Sequence, residues 1–354
     1  MKSHGGLFDG IVDVPNLERA ATAAARGKRG KPDVERFLAA ADVELPRLSL
    51  DLVTDCYRPR PYRQFRIRDP KPRTISCADF RDRVVHHAVC DVIGPLMERR
   101  FVFESYACRV GKGAHRAAAR AQELARRYRY FLKLDVAAFF DSVDHTILLD
   151  LLGRTFREKR LLNLLEVIVY SSPSGSADGK GLPIGNLTSQ WFANLYLDGL
   201  DHHVKETMRT PGYIRYMDDM LLFGDSKAFL WAAHDEIGGY LELQRSLSIK
   251  PTATALAPCA EGIPFLGLRV FPGTWRLQRA PVPAHAPTHA RSRKSLSRRA
   301  LKFGATGPQR RSGTGDSVLV WHQGCLARRT GGIASVWILA RGETGEARRR
   351  ARTG

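Results

Sequence analysis

The stretch Tyr216-Met217-Asp218-Asp219 constrains what this chain can become more than any other. It lies between the apolar runs Tyr213-Ile214 and Met220-Leu221-Leu222-Phe223, so it reads as the polar tip of a β-hairpin with buried arms. Two adjacent carboxylates at such a tip cannot relax apart, and they repel one another unless a cation lies between them. A divalent metal is the usual cation, and buried arms would hold it rigidly. Taken alone, the doublet has a second reading as ordinary turn chemistry, since aspartate is a common turn residue.

A third carboxylate upstream narrows the choice. Phe131-Leu132-Lys133-Leu134-Asp135 reads as a short apolar strand ending at Asp135, followed by the aromatic pair Phe139-Phe140 and Asp141. Ser142-Val143-Asp144-His145, ahead of Thr146-Ile147-Leu148-Leu149, has the polar-then-leucine pattern of a helix start. One carboxylate at a strand end and two at a nearby hairpin make a compact anionic site. Such a site can hold two Mg²⁺ ions about 3.5–4 Å apart, the arrangement used for in-line phosphoryl transfer. Chemistry of that kind needs neither a covalent nucleophile nor a general-base histidine.

Between these segments, Gly181-Leu182-Pro183-Ile184-Gly185-Asn186-Leu187-Thr188-Ser189-Gln190 runs into Trp191-Phe192-Ala193-Asn194-Leu195-Tyr196-Leu197. The glycines permit close approach of backbone to a ligand, and the apolar continuation reads as a helix packed on a sheet. In isolation this is an ordinary loop–helix junction. In the order strand-Asp, glycine loop and helix, Asp-Asp hairpin, it is not.

In that order the chain resembles a reverse transcriptase, over about residues 62–271. Phe65-Arg66-Ile67-Arg68-Asp69-Pro70-Lys71-Pro72-Arg73-Thr74-Ile75-Ser76 is similar to the family's fingers strand pair. Phe80-Arg81-Asp82-Arg83-Val84-Val85-His86-His87-Ala88 and Glu104-Ser105-Tyr106-Ala107-Cys108-Arg109 are similar to the helix that follows and to the fingers–palm junction. Ile263-Pro264-Phe265-Leu266-Gly267 takes the place of the primer grip. The resemblance implies an α+β right-hand polymerase fold with fingers and palm, an antiparallel sheet backed by helices, and RNA-directed DNA synthesis on two Mg²⁺ ions. It implies template RNA, cDNA or primer, and dNTPs as partners.

Within the family, the Ile184-Gly185-x-x-x-Ser189-Gln190 form is similar to that of diversity-generating retroelement enzymes, where most relatives carry Gln-Gly and end in Ser-Pro. That subtype implies misincorporation opposite template adenines and a small basic accessory protein. A glutamine beside the templating pair can police hydrogen bonding, whereas Ile184 cannot. The alternatives are a group II intron or retron-type enzyme, Ile184 merely filling an apolar gap, or a catalytically impaired RNA-binding remnant.

Residue roles follow by position in the motifs. Asp135, Asp218 and Asp219 are the expected catalytic metal ligands, with the Val136 carbonyl beside them. Phe140 takes the steric-gate position, where an aromatic face leaves no room for a 2′-hydroxyl. Phe139 is expected to alternate to the other side and pack in the core. Arg73 is expected on the triphosphate, where a planar guanidinium suits phosphate oxygens. Arg66 and Arg68 have three readings: triphosphate contact, template contact, or a solvated strand. Arg109 is expected at the nucleic acid. Ile184, Gly185 and Gln190 line the nucleotide. Lys250 either protonates pyrophosphate or is a surface residue.

Composition agrees without deciding. A net charge of +20 over 354 residues suits a nucleic-acid partner, because lysine and arginine displace counterions from phosphate. From His285 onward, however, fifteen Lys/Arg face three acids, so +12 of that charge lies in the tail. The six cysteines show no Cys-x-x-Cys spacing and read as reduced residues of a cytoplasmic protein. The doublets His86-His87 and His202-His203 read as structural or RNA-contacting. No run approaches the roughly 18 apolar residues of a membrane span, and no signal peptide is evident.

The expected organisation is an N-terminal extension over 1–50, with a solvated basic loop or RNA contact at 20–31. Fingers follow over 51–134, then a palm with hairpin and primer grip over 135–271. Residues 151–170 form an inserted helical stretch whose leucines are core. Residues 272–354 are a divergent basic tail with too few apolar residues to close a helical bundle. That tail is either a degraded or frameshifted thumb, or a disordered segment that folds on RNA.

Overall fold

The computed structural model describes residues 6–68, 72–173 and 179–278. The expected basic tail from 279 onward, with its thumb question, lies outside the described residues. Four helices open the chain: α1 (Leu7–Val12), α2 (Val14–Ala24), α3 (Pro32–Ala39) and α4 (Ala41–Val53). Prolines in the first turns of α2 and α3 suit a position where no N–H bond is lost. Phe8, Ile11, Leu17, Ala20, Ala21, Leu45 and Leu48 are buried. The alanines let α2 lie close along the long helix α5 (Phe80–Glu98). The N-terminal region is therefore not a free extension. Its helices are part of the main core, and the solvated basic loop is confined to the turns over 25–30, where Arg26 and Arg29 are exposed.

Strands β1 (Arg63–Arg68) and β2 (Pro72–Cys77) form a separate antiparallel pair. Helix α6 (Ala114–Arg127) follows α5. The central sheet contains β3 (Tyr130–Asp135), β4 (Gly212–Tyr216), β5 (Asp219–Gly224) and β6 (Ala255–Pro258). Its order is β4-β5-β3-β6, with every pair antiparallel. Because β3 begins at Tyr130, the expected boundary between residues 134 and 135 falls inside a strand and moves upstream. A small sheet follows: β7 (Ile263–Phe265), β8 (Leu268–Val270) and β9 (Trp275–Leu277). Residues 275–277 pair with β8, so the fold continues past residue 271.

The central strands read as continuous apolar runs because both faces are covered. Leu132, Leu134, Tyr213, Met220 and Leu222 share one face. It packs with the N-terminal helices and with α8 (His145–Thr155), α9 (Lys159–Tyr170), α10 (Leu187–His202) and α11 (Lys227–Arg245). Phe131, Ile214, Tyr216, Leu221 and Phe223 line the other face, against α6 and β7–β8. As expected, Leu161, Leu164, Leu165, Ile168 and Val169 of α9 are core, while Leu162 is half-buried against it. On the second face, the same alternation that places Phe131 brings Lys133 and then Asp135. Apolar cover gives way there to polar side chains. Among the described residues no helix is long and apolar enough to cross a membrane.

Candidate active site

Strand register brings the carboxylates together. Asp135, the last residue of β3, stands directly opposite Asp219, the first of β5, while Tyr216 faces Asp219 from β4. Met217 and Asp218 make the two-residue tip, with Met217 in the left-handed region at φ 54°. Positive φ is what tight hairpin turns require, and here a non-glycine residue supplies it. Burial and the adjacent Asp135 carboxylate push Asp218 up to about 7. Burial raises Asp219 as well, against the opposing pull of Lys133.

Lys133 is a site residue that the sequence reading did not single out. Its Nζ lies 3.0 Å from Asp219 Oδ1 and donates to the Pro264 carbonyl at 3.1 Å. Asp219 Oδ1 is buried, and among the described residues Lys133 is the one cation that reaches it. The signal was present in period-2 alternation, which puts Lys133 on the face of Asp135 one strand step earlier.

The chain after Asp135 turns sharply at Ala138, φ 43°, into the short helix α7 (Phe139–Ser142). Phe139 is buried and Phe140 half-buried, their rings 5.4 Å apart. Phe139 packs in the core as expected, although helical rotation rather than strand alternation separates the two rings. Val136 bridges Ile249 through flanking bonds, Ala137 N to Ser248 O at 2.9 Å and Lys250 N to Asp135 O at 2.8 Å. In an antiparallel pair this turns the Val136 carbonyl away from Ile249. It also places the Lys250 backbone against Asp135.

The glycine loop is stitched to both sides of the site. Leu182 N donates to Phe140 O at 2.6 Å, and Gly181 N to Val143 O at 2.8 Å. On the far side, Ser76 N in β2 donates to Ile184 O at 3.0 Å. Gly185 has φ +118°, and a Cβ there would meet Ile75 Cγ2 at 3.2 Å and Ser76 O at 3.3 Å. Ile184 is half-buried, and Gln190 is buried in the first turn of α10. Asn186 Nδ2 donates to Tyr62 Oη at 2.8 Å, a second tie, to the segment just ahead of β1.

The strand pair separates the arginines. Cross-strand partners share a face, so Arg73 lies with Ile67, Phe65 and Ile75, the face that meets Gly185. Arg66 and Arg68 lie on the opposite face with Thr74, and all three arginines are exposed. Arg109 is not available to nucleic acid, which corrects that expectation. Its guanidinium pairs with Glu98 at 2.8 Å, donates to the carbonyls of Val102 and Ser105, and stacks over Phe101. Only 6 % of the side chain is exposed.

The donors around the hairpin are hard carboxylate and carbonyl oxygens, the type Mg²⁺ takes. The crowding of Asp135 against Asp218, which raises Asp218, is what a cation would relieve, so the residues present fit such an ion. Among the described residues no group of three or more His, Cys, Asp or Glu side chains is arranged to hold a metal ion as it stands, so an ion here would have to draw the carboxylates together.

Comparison with known proteins gives the family. Residues 67–270, more than half of the chain, match the family described as reverse transcriptase (RNA-dependent DNA polymerase). The protein YkfC of Escherichia coli (strain K12) is 25% identical over 273 residues, 65% of this chain and 71% of that protein. The group II intron-encoded protein LtrA of Lactococcus lactis subsp. cremoris is 23% identical over 171 residues, 46% of this chain but only 28% of that one. A structure of telomerase from Candida albicans with a fragment of telomeric RNA superposes at TM-score 0.46 and 11% identity, over 63% of this chain and 47% of that one. On the match across residues 67–270, the chain belongs to the reverse transcriptase family.

Proposed function

We propose that this chain is an RNA-directed DNA polymerase that copies a template RNA into cDNA by metal-dependent nucleotidyl transfer. One observation carries the reading: Asp135 and Asp219 face each other in register, with Asp218 at the adjoining turn. Two Mg²⁺ ions bound there would activate a primer 3′-hydroxyl and neutralise charge on the triphosphate. Asp135, Asp218, Asp219 and the Val136 carbonyl are the residues to hold them. In the reaction, the 3′-oxygen bonds to the α-phosphorus of a dNTP, its proton is lost, and pyrophosphate leaves.

The remaining residues bind and orient. Phe140 sits beside the glycine loop and excludes a 2′-hydroxyl, selecting deoxynucleotides. Arg73, on the face that meets Gly185, takes the triphosphate. Arg66 and Arg68, on the other face, suit template phosphates. Ile184, Gly185 and Gln190 form the wall of the nucleotide pocket, with Lys250 behind Asp135. Fingers and palm are the natural names for the β1–β2 pair and the central sheet in this reading.

The subtype reading is a diversity-generating retroelement enzyme, error-prone at template adenines, with template RNA and a small basic accessory protein as partners. The Ile184-to-Gln190 segment supports it. A second reading, a group II intron or retron-type enzyme, is favoured by the similarity to LtrA. Primer extension on an RNA template with Mg²⁺ and dNTPs, followed by cDNA sequencing, tests both. Product that disappears in Asp218→Ala supports the polymerase, and no product from the wild type refutes it. Errors concentrated at template adenines, reduced in Ile184→Gln, support the retroelement subtype. Evenly faithful copies support the intron or retron type.

A further inference from the structure

Directly behind the hairpin lies a second charged centre that the carboxylate chemistry does not use. Arg215, in β4, is completely buried, and so is its partner Asp201 near the end of α10. A guanidinium has five N–H donors, and each finds an acceptor here. Nε donates to Asp201 Oδ1 at 2.7 Å, and Nη2 to Asp201 Oδ2 at 2.6 Å and Ser105 Oγ at 3.2 Å. Nη1 donates to Asn194 Oδ1 at 3.2 Å and to the Met217 carbonyl at 3.1 Å. Asp201 also accepts from Tyr213 Oη at 2.8 Å, and Asn194 anchors itself on the Ala107 carbonyl at 2.9 Å.

A buried ion pair adds little net stability, because desolvation of both charges offsets their attraction. What a filled five-donor fork does supply is direction, since none of its acceptors can shift without breaking a bond in a dry interior. The acceptors come from three places: helix α10, the segment around Ser105, and the hairpin tip. The last is the informative one. Met217 is the left-handed residue of the turn, and its carbonyl belongs to the peptide that delivers Asp218. A non-glycine residue at positive φ costs free energy and persists only when its surroundings over-determine it.

We propose that Arg215 is a positioning residue for nucleotidyl transfer: it locks the Met217–Asp218 peptide to α10, whose opposite end carries Gln190. The inference rests on the polymerase reading above. Through this lock, one helix sets both the nucleotide wall and the presentation of Asp218. Lysine keeps the charge opposite Asp201 but has three donors on one atom, so it cannot serve Asp201, Ser105, Asn194 and Met217 together.

The test compares wild type with Arg215→Lys and with the double variant Arg215→Met/Asp201→Leu, which leaves no orphaned charge if the single variant fails to fold. Folding is followed by circular dichroism, catalysis by steady-state primer extension, and the tip by hydrogen exchange over residues 217–219. Both variants are expected to fold, to lose about 100-fold in kcat, and to keep KM for dNTP within about twofold. Exchange at the tip should rise while exchange in α10 stays unchanged. Wild-type kcat in either folded variant, or a parallel rise of exchange across α10, overturns the inference. Were the wild type itself inactive, the polymerase reading would fall, and exchange at the tip would still decide whether Arg215 holds it. An unchanged tip refutes that hold.

Discussion

Replacing Asp218 with asparagine should abolish synthesis and yet stabilise the metal-free protein. Burial and the Asp135 carboxylate raise Asp218 from 3.8 to about 7, roughly three units. At about 1.4 kcal/mol per unit, the ionised form would be disfavoured in the native state by about 4 kcal/mol. The hairpin tip is partly open to water, and screening there reduces this to about 2 kcal/mol. The sign follows from linkage. The native state holds the proton more tightly than the unfolded chain, so this contribution is fully present below about pH 4 and is lost as pH rises through 7. Asparagine mimics the protonated side chain at every pH. The variant's advantage is therefore about 2 kcal/mol at pH 8, narrows on acidification, and closes near pH 4. Urea unfolding followed by circular dichroism, in a chelator, measures it directly. If the carboxylates hold the ion as proposed, added Mg²⁺ should then stabilise the wild type more than the variant. The reasoning is refuted if Asp218→Asn is no more stable than wild type at pH 8 in chelator, or if the gap widens at low pH.

Three further outcomes are expected. Lys133→Met leaves Asp219 without its compensating charge and should cost about 2 kcal/mol in the same chelated urea titration, less once Mg²⁺ is present. Gly185→Ala forces a side chain into φ +118° against Ile75 and Ser76, and should cost about 2 kcal/mol. Hydrogen exchange at the Ser76 amide should accelerate in that variant. His86 is buried in α5, its Nδ1 lacks a hydrogen bond among the described residues, and burial lowers it to about 3. The unfolded chain therefore binds the proton first, so stability should fall by about 2 kcal/mol between pH 7 and pH 5. His86→Gln should flatten that slope, and unequal slopes in the two proteins are the readout.

The carboxylate site was legible because its parts are local: strand, turn and strand are each written in a few residues, and register follows from alternation. Phe140 and the glycine loop came from motif order. What sequence reading missed has a common physical cause. Lys133 and Arg215 act through partners far along the chain, Pro264 for one and Asp201 with Asn194 for the other. Each nevertheless leaves a local trace, a cation inside an apolar strand, which cannot be buried without a partner. Arg109 failed in the opposite way. A basic residue beside a motif suggests phosphate, but its five donors were already claimed by Glu98 and by backbone carbonyls of its own loop. The N-terminal helices were underread because alanine-rich sequence carries little apolar contrast, although small side chains are what allow α2 to lie close on α5.

The docking of Ser76 onto Ile184 is made by main-chain atoms alone. Tight packing at that junction falls on Gly185, one residue further on. The side chain at position 184 is therefore released from holding the two parts of the molecule together, and substitutions there need not disturb the architecture. If position 184 lines the nucleotide as proposed, the pocket wall and the joint between the two parts of the molecule are set by different atoms of neighbouring residues. On that proposal, a change of side chain at 184 would alter copying accuracy while leaving the main-chain joint between Ser76 and Ile184 in place.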